Sequence, residues 1–135
     1  MSEGTDKTGR SAPVPGYAGH ADATARRLSD QQVRAWVGEM LADLRERVPA
    51  GGFTDRLDAL IFRCEFGDQH VVKAIEDSRF AGPELAELLE ACDRKFIAAA
   101  SPGREAGPEG LGALVEAIET AFNERSESIV AGLKR

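Results

Sequence analysis

The sequence predicts an all-α fold: a compact bundle of four main amphipathic helices plus one short helix, behind a disordered N-terminal tail. Three observations lead there. Apolar residues recur at three- and four-residue steps in four long segments, apolar/polar alternation persists nowhere, and glycine or proline marks the junctions. At 135 residues the chain suits one core, because a second domain would be too small to bury its own. The expected division is a tail over residues 1–27 and a single helical domain over residues 28–135.

Residues 1–27 are mostly small, polar or proline, with Tyr17 as the sole aromatic and no periodicity, which reads as an unfolded segment. His20 would then stand in solvent. Ser11-Ala12-Pro13-Val14-Pro15-Gly16 has the composition of a short extended ligand, but a solvated tail is the simpler expectation.

The first helix is expected to start at Asp30, with Ser29 as N-cap, Gln32 completing a capping box and Val33 stapled back onto Leu28. Val33, Trp36, Val37, Met40, Leu44 and Val48 then form one stripe that Pro49 and Gly51-Gly52 end. A second helix follows Thr54, and Gly67 interrupts it, leaving Asp68 to cap a short third helix over Gln69–Ser78. Val71 and Ile75 face inward there, and Phe80 in the following connection fills a gap between elements. Gly82-Pro83 opens a fourth helix with the stripe Leu85, Leu88, Leu89, Cys92, Phe96 and Ala99. Residues 101–108 read as a loop, and Leu111, Leu114, Val115, Ile118, Phe122, Ile129 and Leu133 make the last stripe.

Composition narrows the function classes. No apolar run approaches the roughly 18–20 residues of a membrane span, and the N-terminus lacks a secretory apolar core, so a cytoplasmic protein is expected. Thirteen arginines against four lysines, with abundant alanine and glycine, suggest a GC-rich bacterial genome. Residues 28–135 hold thirteen basic and twenty acidic side chains, a net of −7, which repels phosphate backbones and anionic membranes. Neither nucleic acid nor membrane is an expected partner. Cys64 and Cys92 both read as buried, reduced core residues.

Chemistry is sparse. Paired Glu-x-x-His motifs, a Gly-Lys-Ser/Thr phosphate loop and a marked nucleophile are all missing, so no metal, cofactor or catalytic residue is assigned. The acids Glu84, Glu87, Glu90 and Asp93 read as the solvated face of the fourth helix. Arg125 stands apart, because its helical angle falls inside the stripe of Ile118, Phe122 and Ile129. It either snorkels to water near the chain end or pairs with a buried carboxylate or a ligand anion.

The second helix carries the one positive signal. At 100° per residue Leu57, Leu60, Ile61 and Cys64 share one side, while Ala59, Phe62 and Phe66 share nearly the opposite side. Asp58 and Glu65 flank the second face on one edge, Arg56 and Arg63 on the other. Such a helix must be covered twice, either by running through the centre of the bundle or by presenting Ala59, Phe62 and Phe66 as an interface.

The expected function is therefore a non-enzymatic helical interaction module, a small bacterial adaptor or regulator that binds a protein partner or itself. One alternative is a ligand-binding or catalytic bundle around Arg125, which would need an enclosed pocket beside that residue. Another is a helix-turn-helix regulator around Gly67, against which stand six acids and four bases over residues 53–80.

Overall fold

A computed structural model describes residues 14–77 and 83–133 of the chain. In order they form α1 (Ala23–Arg47), α2 (Thr54–Phe66), α3 (Gln69–Asp77), α4 (Pro83–Ala100), a 3-10 turn (Ser101–Arg104) and α5 (Leu111–Leu133). All regular elements among the described residues are helical. The expected four long helices and one short helix are present, and the roles expected of Ser78 and Phe80 lie outside the described residues.

The apolar stripes explain the packing. Val33, Val37, Leu41 and Leu44 of α1 meet Leu57 and Leu60 of α2, Phe96 and Ile97 of α4, and Val115, Ile118 and Phe122 of α5 in one cluster. Phe96 and Phe122 sit edge to face at 4.9 Å, an arrangement that aromatic quadrupoles favour. A second cluster joins Val71 and Ile75 of α3 to Leu89 of α4 and Ile129 of α5. The α4–α5 and α1–α2 pairs are the most extensive. Two glycines allow these close approaches: a Cβ on Gly38 would lie 3.1 Å from Cys64 Cβ, and one on Gly132 would lie 2.8 Å from Leu85 Cδ1.

The N-terminal boundary differs from expectation. Helix α1 begins at Ala23, seven residues before Asp30, because Asp22 takes an extended conformation and its carboxylate accepts from Ala25 N at 2.8 Å. An N-cap needs only that geometry and a following helix former, and Ala23 and Ala25 supply the latter. Ser29 is consequently inside the helix and buried, and it ties down the preceding chain instead. Its hydroxyl accepts from Ala18 N at 2.9 Å and donates to Gly19 O at 2.7 Å. Residues 14–22 run over the bundle as a strap, with Val14 and His20 buried. The expectation of an unfolded segment through residue 27 is thus corrected for residues 14–27.

Three smaller corrections follow. Residues 101–104 close into a 3-10 turn, where Ser101 Oγ donates to Ile97 O and Arg47 donates to Gly103 O at 2.6 Å. Cys64 is buried as expected, but Cys92 is only half-buried. Leu28, expected to staple onto Val33, is exposed, since the helix already continues past it.

Candidate functional site

Two places hold the residues singled out above. The first is interior. Arg125 does not snorkel: it is 2% exposed, donating from Nε to Asp93 at 2.9 Å and from a terminal nitrogen to Asp30 at 2.7 Å. Asp30 also accepts from Arg34 Nε at 3.0 Å, and Arg34 reaches across to the backbone carbonyl of Cys64 at 3.0 Å. Asp93 additionally accepts from Tyr17 at 2.8 Å and lies 2.6 Å from His20 Nε2. Two carboxylates and two guanidiniums therefore neutralise each other inside the bundle. The carboxylates occupy the guanidinium edge at which a ligand anion would otherwise be expected.

Electrostatics agree with this pairing. Burial pushes the Asp93 carboxyl up, but Arg125 and His20 outweigh it and hold the group below the usual carboxylate range. Asp93 is ionised, so His20 must present its proton on Nε2 to make their contact a hydrogen bond. His20 Nδ1 is buried and has no hydrogen-bond partner among the described residues. Arg125, whose burial alone would lower it, is raised by Asp93 and Asp30 and keeps its charge. Asp93 itself was expected on a solvated face. The spacing Leu89–Asp93–Phe96–Ala100 shows why it is wholly buried instead: it occupies a stripe position.

Arg125 also borders a cleft of about 280 Å³ between α4 and α5, with Cys92, Lys95, Glu124 and Ser128. Burial pushes the Cys92 thiol up, the largest influence on it. His70 is exposed on α3, apart from the interior cluster. Among the described residues no group of three or more His, Cys, Asp or Glu side chains is placed to hold a metal ion, and no helix is long and apolar enough to cross a membrane.

The second place is the outer side of α2. Leu57, Leu60 and Cys64 are buried against the bundle, whereas Phe62 is 62% exposed, Phe66 54% exposed, and Ala59 exposed. The Phe62 and Phe66 rings touch, with centroids 4.7 Å apart. Helix α2 therefore does not run through the centre, and the chain leaves this second apolar face uncovered among the described residues. Ion pairs brace the helix from both edges: Arg45 with Asp58 at 2.9 Å, Arg56 with Glu119, and Arg63 with Asp68 at 2.7 Å. Arg63 also lies over the Phe122 ring at 4.0 Å, and Asp68 accepts from Ser126.

Beside this face a cleft of about 650 Å³ opens between α1, α2 and α3. Ala35, Gly38, Ile61, Cys64, Phe66 and Val72 supply its apolar lining, and Glu39 and Glu65 stand exposed at its rim. Phe66 belongs to both the cleft and the aromatic pair, making one continuous apolar surface. The sequence exposed the second face of α2 but not this cleft, which depends on where α1 and α3 fall. No protein-family model, curated protein or solved structure matches this chain.

Proposed function

We propose that this chain is a non-enzymatic helical interaction module, a small adaptor or regulator of a bacterial cytoplasm that holds a protein partner against α2. One observation carries the reading: two aromatic side chains, one helical turn apart, stand more than half exposed on a helix whose other side is anchored in the core. Burying a phenylalanine is worth about 1.5–3 kcal/mol, so leaving both in water is costly unless another molecule covers them. Aromatic anchors with a charged margin are the usual energetic centre of an association surface. The interior charge cluster supports the same view, since its guanidiniums and carboxylates are engaged with one another.

A photo-reactive phenylalanine analogue at position 62, introduced in the native host, tests it. The expected result is one discrete cross-linked protein species from position 62 and none from the exposed α5 position Glu124. Absence of any species at position 62 would remove this reading.

A further inference from the structure

The α2 face and its cleft have a charge pattern that selects among occupants. Glu39 and Glu65 stand at the cleft rim and neither forms an ion pair among the described residues. The one cation lining the cleft, Arg34, is buried and engaged by Asp30 and the Cys64 carbonyl. Along the far edge of α2, Arg56 and Arg63 are already neutralised by Glu119 and Asp68. Among the residues lining the cleft the uncompensated charge is thus negative, on a chain of net charge −6. Arg47 and Arg104, which share a second cleft with Glu39, are held by the Gly103 and Ala106 carbonyls and the Trp36 ring.

A second copy fits this poorly. With a two-fold axis and antiparallel α2 helices, the unpaired Glu65 would lie on the same edge as its own counterpart, since Asp58 is already held by Arg45. With parallel helices Asp58 and Glu65 would meet Arg56 and Arg63, whose charges are spoken for. Like charges brought together oppose association, whereas opposite ones speed and select it. All described elements are helical, so no strand edge is offered, and anchors one turn apart match those of a helix lying in a groove.

Resting on the interaction-module reading, we propose that the occupant is a cationic amphipathic helix. Its apolar side chains cover Phe62 and Phe66 and enter the cleft at Ile61, Cys64 and Val72. Its lysines or arginines lie against Glu39 and Glu65.

The test uses the full chain and two fluorescein-labelled amphipathic helices, one built of leucine and lysine, the other of leucine and glutamate, followed by anisotropy. The leucine–lysine helix should bind with an affinity that falls as salt rises, and the leucine–glutamate helix should not bind. Phe62→Ser with Phe66→Ser should weaken binding about 30-fold or more, with circular dichroism confirming the fold. Glu39→Gln with Glu65→Gln should weaken it about three- to tenfold, and Glu39→Lys with Glu65→Lys should transfer preference to the leucine–glutamate helix. The control pair Glu124→Gln with Glu127→Gln on α5 should change nothing. Equal sensitivity to that control pair would overturn the proposal as mere attraction between opposite net charges. A dimer by light scattering that Phe62→Ser with Phe66→Ser dissolves would overturn it in favour of a second copy. Failure of the cationic helix to bind while position 62 still cross-links a protein would overturn this inference alone and leave the interaction-module reading standing.

Discussion

His20 Nε2 lies 2.6 Å from Asp93 Oδ2, joining side chains 73 positions apart in the chain, both shut away from solvent. The contact fixes a segment that has no helix of its own. Removing residues 1–22 should therefore lower the thermal midpoint by several degrees, because Val14, Tyr17 and His20 leave together. His20→Ala alone should cost about 1.5–3 kcal/mol, the range for hydrogen bonds to charged groups. Chemical denaturation of both variants measures it, and an unchanged midpoint for the truncated chain would show that the strap is not bound in solution.

Acid should destabilise the protein through Asp93. Its carboxyl is held below its ordinary range in the folded state, so its contribution is fully present above the unfolded value of about 4 and fades as pH falls below it. Asp68 acts in the same direction: burial pushes it up, and hydrogen bonds from Arg63 and Ser126 hold it down overall. Asp93→Asn should cost about 3–5 kcal/mol at neutral pH, since it leaves Arg125 with one carboxylate partner instead of two. It should also make the acid limb of stability against pH shallower. An equally steep limb in the variant would assign acid sensitivity to other groups.

The two cysteines should label at different rates. Burial pushes the Cys64 thiol up to about 12, leaving almost no thiolate at neutral pH. Cys92 is half-buried beside the α4–α5 cleft, so a maleimide should reach it in the native protein while Cys64 waits for unfolding. Mass spectrometry of peptides after a short exposure separates the two, and labelling of Cys64 at the rate of Cys92 would contradict the α1–α2 packing.

Replacing Phe62 and Phe66 with serine should leave stability nearly unchanged. A buried aromatic would cost about 3–5 kcal/mol on truncation, enough to unfold a domain whose total stability is about 5–15 kcal/mol. Both rings are more than half exposed, so the double variant should keep its helicity and its thermal midpoint within a few degrees. Collapse of the far-ultraviolet circular dichroism signal would mean that this face is internal.

Much of the fold was legible in local pattern. The stripes of α1, α4 and α5 show helical spacing over many turns, although in α4 the buried line runs through Leu89, Phe96, Ile97 and Ala100 and leaves Leu88 exposed. The opposed faces of α2 follow from 100° per residue alone. Arg125 was visible as a charge in an apolar stripe. Its partners were harder to see. Asp93 shares the Leu89–Phe96–Ala100 stripe, but it follows Glu84, Glu87 and Glu90 in sequence and reads as one more solvated acid. Taking a misplaced acid and a misplaced base together as a pair would have found it.

The start of α1 misled for a different reason. Ser29-x-x-Gln32 satisfies the capping-box pattern, yet Asp22 is an equally good cap, and only the strap decides between them by claiming the Ser29 hydroxyl. The strap itself leaves no local trace, because Tyr17 and His20 find Asp93 at separations of 76 and 73 residues. Periodicity reports on neighbours within a few turns, and these partners are long-range.

The Ala18 amide, bonded to Ser29 Oγ at 2.9 Å, has a consequence for how the molecule opens. It lies outside any helix, in chain that would ordinarily exchange its hydrogens with solvent within moments. Ser29 belongs to α1, and Asp93 and Asp30 connect the strap and α1 through Arg125 to α4 and α5. Freeing Ala18 without exposing charges that are otherwise matched indoors is thus difficult. Its exchange should be slower than that of an unbonded irregular segment, at a rate set by release of the strap, which Ser29, Tyr17 and His20 hold down. Residues 14–22, without a helix of their own, thereby gain a protection that measures how firmly they are held to the bundle.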